Sequence, residues 1–553
     1  MYTKNIQTVN TDVLVIGAGG AGLRAAIEAK KYDLNVLLVS KSPVGYRNNT
    51  AVSGGALAAA GIGKESNDSP EVHFKDTIKA GRLINDRNLV RVMTQGAAQQ
   101  VNDLIKFGVK FQKTDGDLWV GQIPGHMYPR HVVSERRGIS LTKPMREYAA
   151  RIGIQFKEGI LITRLLKAGN TVVGALGIDN EGQVCLFNAK STILTTGGAG
   201  EVYLRTSNTV GSTGDGYALA YECGVSLRDM EFVQFYPTGL LEKPRKGWPY
   251  EGFIGAGATI RNRLGEDVLE RHGMKDFALL TRDVFARAIM TEIIEGRGIK
   301  GGVVVDVTTA PKEEVAKRIP KSSQARRFPE QIRIAPTTHF FSGGVKINEN
   351  CETEIDGLYA AGEVCNGVHG ANRLGGNAIA EIFVFGAIAG EKAAARALGT
   401  EGMSANQSEV LAEVERLGNL ASQQGRENLS KLHQSLKKTM WYKAGIIRDK
   451  QGLEEAIKEI RSIRDRLNRV SVASYSQLIK VIELSNMLTV SEMICRGALK
   501  RVESRGAHYR TDYPEENNEQ WLKNIEISCV NGDITLRVIP VAIENDREYI
   551  ELG

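Results

Sequence analysis

The stretch that most constrains this chain is residues 11–22, Thr-Asp-Val-Leu-Val-Ile-Gly-Ala-Gly-Gly-Ala-Gly. Residues 13–16 form a continuous apolar run, as a parallel strand buried on both faces requires. Gly17, Gly19 and Gly22 complete G-x-G-x-x-G. The first allows a tight turn, the second lets a pyrophosphate approach the backbone, and the third lets the next helix pack on the strand. The Ala-rich residues 21–31 supply that helix, whose N-terminal N–H groups favour negative charge. Residues 35–40 read as a second strand. A strand, this turn and a helix within a unit of about 30 residues predict dinucleotide binding. The second strand ends in Ser40 and Lys41 rather than in the acid that holds a ribose in NAD-binding units. The adenosine end is therefore expected to be held differently, which argues against NAD.

At 553 residues the chain predicts two to four domains. Its 71 basic and 64 acidic residues leave a small excess of +7, enough to help attract small anions but no sign of nucleic-acid binding. None of the six cysteines stands in C-x-x-C spacing, so neither a zinc knuckle nor an iron–sulfur cluster is expected, and no metal site. Scattered reduced thiols and a polar N-terminus without a signal peptide predict a cytoplasmic protein. With no apolar run long enough to cross a bilayer, any membrane association is expected through partners.

Residues 41–63 form a loop of small residues suited to lining a ligand. Residues 70–112 read as helices, and residues 171–176, 184–188 and 192–196 as short strands. The last of these ends in Gly197-Gly198-Ala199-Gly200, a second glycine turn. Thr213-Gly214-Asp215-Gly216 opens a helix over residues 217–223. From about 225 to 345 the chain turns irregular, rich in aromatic residues, Pro and charge, and reads as an inserted domain. The first pattern then returns as a strand and glycine turn at Gly357-Leu358-Tyr359-Ala360-Ala361-Gly362-Glu363, followed by a polar glycine loop and an apolar helix over residues 378–395. Residues 398–407 read as a linker, and residues 408–505 as three or four amphipathic helices without proline. Strand-like runs at 524–529 and 534–541 close the chain.

These motifs resemble the flavoprotein subunits of succinate dehydrogenase and fumarate reductase, with L-aspartate oxidase a close relative. The likeness is carried by Gly17 to Gly22, Ser40-Lys41, residues 47–55 and Thr196-Gly197-Gly198. It continues through Gln234-Phe235-Tyr236-Pro237-Thr238-Gly239, Arg282-Asp283, residues 336–344 and Glu503-Ser504-Arg505-Gly506-Ala507-His508. Above all it rests on His369-Gly370-Ala371-Asn372-Arg373-Leu374-Gly375-Gly376-Asn377. The resemblance implies an α/β protein: a Rossmann-like FAD-binding domain (residues 1–224 and 346–400), an inserted α+β capping domain (225–345), a helical domain (401–512) and a small C-terminal domain (513–553).

FAD is then expected at Gly17, Ala18, Gly19, Ala21 and Gly22, at Ser40 and Lys41, and along Asn48, Asn49, Thr50, Ser53, Gly54 and Gly55. Thr196, Gly197, Asn208, Thr213 and Asp215 join these, as do Glu363, Arg373, Ala378 and Ile379. The resemblance also implies a dicarboxylate held between two clamps, one of them formed by Arg373 and His339. The other lies near Glu251 and the Tyr236-Pro237-Thr238 turn, with Gly376 completing the site. Guanidinium groups suit this task because they bind carboxylates bidentately and stay charged. Arg282 is placed to move the proton. With its high intrinsic pKa it serves only as a relay, refilled through a carboxylate, for which Glu251 is the candidate.

The sequence departs from the family at three places. Asn49 stands where the respiratory enzymes carry the histidine that links FAD covalently, so FAD is expected non-covalently and the balance leans toward fumarate reduction. Tyr236 and Tyr250 replace a histidine and a threonine and bear on which substrate fits. The leading expectation is a fumarate reductase-type subunit fed by an iron–sulfur partner. The alternatives are an L-aspartate oxidase-like enzyme, a reductase of another unsaturated acid, and a flavoprotein scaffold with a decayed pocket. Joint retention of Arg282, His339 and Arg373 argues against the last.

Overall fold

The computed structural model describes residues 6–242, 250–274, 281–318, 330–402 and 404–542. At its centre the strand Gln7–Ile16 lies parallel to Val36–Ser40 on one side and to Val184–Leu194 on the other. Val13, Leu14 and Val15 are fully buried. Val36–Ser40 in turn pairs with Gln155–Glu158, and the antiparallel strands Thr171–Asp179 and Ile160–Ala168 extend the far edge. The two strands expected over 184–188 and 192–196 are one strand, Val184–Leu194. Its first half pairs antiparallel with Thr171–Asp179, while Thr192 to Leu194 pair in parallel with Leu358–Ala360. The polar residues between the two apolar runs mark the change of neighbour, not a turn.

The helix Gly20–Lys30 crosses the long helix Asn377–Gly399, which runs into the region read as a linker. Their contact is close because it is made by small residues: a Cβ on Gly390 would sit 2.3 Å from the Ala25 carbonyl oxygen.

The inserted segment is more regular than its composition predicts. It forms an antiparallel sheet in the order Val233–Leu240, Gln331–Phe341, Val303–Asp306, Thr259–Arg261. The helix Arg282–Ile294 packs on this sheet, and Phe253, Ile260, Phe285, Ile289, Val303 and Ile334 belong to a core separate from the main one. Tyr236, Pro237 and Thr238 lie within the strand Val233–Leu240, not in a turn. Proline lacks a ladder donor, and the register there is irregular between Tyr236 and Gly239.

Four helices, Gln407–Ala421, Leu429–Lys443, Lys450–Leu467 and Tyr475–Lys500, follow. The C-terminal strands Lys523–Val530 and Asp533–Pro540 form a hairpin. This hairpin pairs with Leu227–Arg228, which also pairs with Gly344–Val345. The hairpin is thus stitched to both crossings between the central sheet and the inserted sheet. Among the described residues no helix is long and apolar enough to cross a membrane, and no group of three or more His, Cys, Asp or Glu residues is arranged to hold a metal ion. The six cysteines are free thiols.

Candidate active site

Gly17 adopts φ +109°, and a Cβ on Gly22 would lie 1.9 Å from the Gly17 carbonyl oxygen. Only glycine fits either place. Around this turn are open spaces. A Cβ on Gly19 would meet nothing nearer than 3.8 Å, one on Gly54 nothing within 4 Å, and one on Gly197 only Glu363, at 4.0 Å. Buried polar atoms without partners accompany them: Asn48 Nδ2, Thr196 Oγ1 and Asn208 Oδ1. Room, unsatisfied donors and acceptors, and a helix N-terminus fit a large polar dinucleotide such as FAD.

The other residues expected at FAD fall into distinct settings. Thr50 Oγ1 accepts from the Gly20 N–H at 3.2 Å, and Ser53 donates to the Thr50 carbonyl at 2.7 Å. Gly55 takes φ +75°, and Ala18 accepts through its carbonyl from Gly45 N–H at 3.1 Å. Ala21 lies in the first turn of Gly20–Lys30, and Ala378 and Ile379 in that of Asn377–Gly399. Ser40 closes its strand and accepts from Ser42 N–H at 3.3 Å. Lys41, Thr213 and Asp215 meet one another, but in an ion cluster with the helical region. Lys41 Nζ lies 2.6 Å from Asp215, 2.7 Å from Thr213 and 2.8 Å from Glu483. Burial alone would lower the Lys41 pKa, but the two carboxylates outweigh it and raise it.

Asn49 is held from both ends. Its Oδ1 accepts from Thr209 N–H at 3.0 Å and from the Thr209 and Ser212 hydroxyls, and its Nδ2 donates to Glu363 at 3.3 Å. Burial pushes the Glu363 carboxyl up to about 7, against the pull of Asn49 and the Phe341 N–H.

Beyond this cradle the structure brings Arg282, Arg373, His339 and Tyr236 together. The Tyr236 ring lies 5.4 Å from the His339 ring and carries the Arg282 guanidinium 5.3 Å over its face. The Arg373 guanidinium lies 4.9 Å over Phe340 and, among the described residues, donates only to the Leu374 carbonyl, at 3.2 Å. Arg373 Nε, Arg282 Nη1 and Thr238 Oγ1 are buried without partners. Among the described residues neither arginine makes an ion pair. Burial and the neighbouring Arg282 draw the Arg373 pKa down to about 9. Burial, Arg373 and Arg282 hold His339 well below the usual histidine range, so its ring is neutral at pH 7. Its Nδ1 lies 2.9 Å from the Ser207 hydroxyl. The Glu251 side chain lies outside the described residues, while the backbone of residue 251 belongs to the helix Tyr250–Gly255. His369 lies 3.0 Å from Glu381 and stands edge to face with Phe340, 5.0 Å between ring centres.

One polar chain ties the helix that begins at Arg282 to Arg373. Asn372 donates to Asp283 at 3.0 Å, and Gln234 donates to Asn372 Oδ1 and to the Arg373 carbonyl, both at 2.8 Å. Sequence reading missed this chain. It also missed three buried histidines, His73, His126 and His131, packed against residues 375–377. Two histidines flanking Tyr128-Pro129-Arg130 were the available signal.

The family model described as "FAD binding domain" matches residues 12–379, and "Fumarate reductase flavoprotein C-term" matches residues 433–549. One component of the fumarate reductase (CoM/CoB) of Methanothermobacter marburgensis is 38% identical, over 93% of this chain and 96% of that one. An uncharacterized FAD-dependent oxidoreductase of Methanocaldococcus jannaschii is 39% identical, over 94% and 96%. A solved structure of E. coli quinol fumarate reductase superposes with a TM-score of 0.88 at 30% identity, covering 98% of each chain.

Proposed function

The chain belongs to the flavoprotein-subunit family of fumarate reductases and succinate dehydrogenases, an FAD-dependent oxidoreductase family, and from that premise we propose that it reduces an unsaturated C4 dicarboxylate, fumarate. The observation that carries this reading is a pair of neighbouring arginines, Arg373 buried and Arg282 half-buried, each with a buried guanidinium nitrogen that has no partner and neither with an ion pair among the described residues. A buried cation left unpaired is costly, and a dianionic ligand would compensate both at once.

The glycine-lined cradle around Gly17, Gly19, Gly54 and Gly197 would hold FAD non-covalently, and FAD bound there would supply hydride exchange with the substrate. Asn49 has no ring nitrogen to form a covalent link, and its amide is already committed to Thr209, Ser212 and Glu363. Arg373 takes one carboxylate through its open guanidinium edge. His339 assists when the Ser207 hydroxyl turns its one proton from the Thr338 carbonyl, 3.1 Å away, to Nδ1 at 2.9 Å, which leaves Nε2–H as the outward donor. Thr238 and Tyr236 face the other carboxylate. Arg282 delivers the proton to the substrate carbon opposite the hydride. It stands on the inserted domain, so closure of that domain both positions the proton and excludes water. Glu251 refills it. An iron–sulfur partner provides the electrons, and the six free thiols fit work in the reducing cytoplasm.

The test is anaerobic turnover of the purified, chemically reduced protein against fumarate, iminosuccinate and larger unsaturated acids. Fumarate is expected to reoxidise the flavin fastest, and acid precipitation to leave all flavin in the supernatant. Preference for iminosuccinate would replace this reading with the aspartate oxidase one. Flavin retained on the precipitate would contradict the role given to Asn49.

A further inference from the structure

The Gly375 carbonyl oxygen accepts two imidazole donors at once, His126 Nε2 at 2.8 Å and His131 Nε2 at 3.0 Å. A carbonyl can only accept, so both rings carry their proton on Nε2. The two rings stand edge to face, 4.4 Å apart. His126 Nδ1 faces Arg130 Nη1 at 3.3 Å, and Arg130 is fully buried against Asp68 and Asp76 at 2.7 and 2.8 Å. That fixed cation keeps a second proton off His126. His131 sits on a short strand beside Ala56–Ala58, and Ala58 N–H donates to the Gly376 carbonyl at 3.3 Å. The next residue, Asn377, is tied to His73 at 2.8 Å and to Thr77 at 2.9 Å. The segment following Arg373 is therefore pinned at three successive residues.

The pinned peptide is the one between Gly375 and Gly376. Gly376 takes φ +80°, and a Cβ there would lie 2.3 Å from His131 Nε2, so the contact admits no side chain. The N–H of this peptide finds no acceptor among the described residues. Two donors on a carbonyl polarise the peptide and strengthen its N–H as a donor. We propose that His126 and His131 are positioning residues that aim and polarise the Gly376 N–H for a substrate carboxylate beside Arg373. This rests on the reading of Arg373 and its neighbours as a dicarboxylate site. The histidines touch no substrate, and they act through the peptide they hold.

The test compares His131→Phe, which keeps a ring but removes the donor, with His131→Gln, which restores a neutral N–H. In the holoenzyme His131→Phe is expected to raise the KM for fumarate about tenfold, the loss of roughly one hydrogen bond. Its kcat stays within about threefold, and His131→Gln recovers most of the affinity. An unchanged KM in a flavin-replete His131→Phe protein overturns the proposal, as does equal impairment in both variants. If His131→Phe does not fold, wild-type holoenzyme labelled with 15N-histidine decides. The His126 and His131 rings, assigned by their loss in His126→Gln and His131→Gln, should remain neutral Nε2–H forms at pH 5.5 and move on adding succinate, and rings that titrate normally or ignore succinate overturn the proposal. Wild-type protein that neither reduces fumarate nor responds to succinate would instead remove the premise.

Discussion

Two sets of arginines in this molecule are treated in opposite ways. In the segment after the helix Tyr475–Lys500, Arg501 reaches Glu231 at 2.8 Å and Glu503 at 3.0 Å, and Arg505 grips Glu503 through both carboxylate oxygens and reaches Glu516. Arg510 is bidentate to Asp512. Every one of these cations has a carboxylate. In the candidate site, Arg373 is equally hidden but has only a backbone carbonyl, and Arg282 rests on an aromatic face. Acids surround the first set, whereas the second has open guanidinium nitrogens; Arg448, also fully buried without a carboxylate, is held instead by the Gly445 and Glu231 carbonyls at 2.7 and 2.8 Å. The paired set fastens the C-terminal hairpin to the inserted domain's crossings, for Arg501 also donates to the Lys523 carbonyl at 2.9 Å.

The contrast breaks first at the paired set. Arg501→Ala strands Glu231 as a buried acid, while Arg505 keeps Glu503 paired, and is expected to cost about 3–5 kcal/mol of stability. Denaturant melts would show it, and a loss below about 1 kcal/mol would mean that the network is not a rivet. At the unpaired set the expected effect is on rate. Arg282→Ala lowers kcat at least about a hundredfold, the low end for a general acid, while KM changes far less. Steady-state rates on variants with matched flavin content check this. Near-normal turnover would send the proton through Tyr236 or another group.

A smaller effect concerns Glu363, an acid whose charge acts on Arg373. Its folded pKa of about 7 lies above the ordinary 4.5 of the unfolded chain. Between these values the folded protein holds the extra proton, so stability falls as pH rises, by about 2 kcal/mol between pH 5 and 7. Glu363→Gln should flatten that decline in melts across the window, and an identical slope would place the Glu363 pKa near its ordinary value.

The glycine turn, the first two strands and the proline-free helices were legible because each is written in a local pattern. The hairpin's attachment was not, since Leu227 and its partner Ile527 lie far apart in sequence and neither is unusual alone. The same distance hid Lys41 from Glu483. Tyr236-Pro237-Thr238 read as a turn because proline usually marks one, whereas an irregular strand register accommodates it. Arg282, His339 and Arg373 were found by their motifs. His126 and His131 escaped because a buried neutral histidine leaves no periodic trace, and their meaning comes from the one carbonyl they share.

The central claim is that the unpaired arginines wait for a dicarboxylate. Anaerobic titration of the oxidised holoenzyme with succinate, followed through flavin absorbance, tests it directly, with butyrate as the single-carboxylate control. The account predicts a saturable spectral shift with succinate and little with butyrate. In Arg373→Ala it predicts affinity weakened by about 2–5 kcal/mol, the usual cost of losing one partner of a buried charge pair. Equal responses to succinate and butyrate, or succinate binding undiminished in Arg373→Ala, would contradict it.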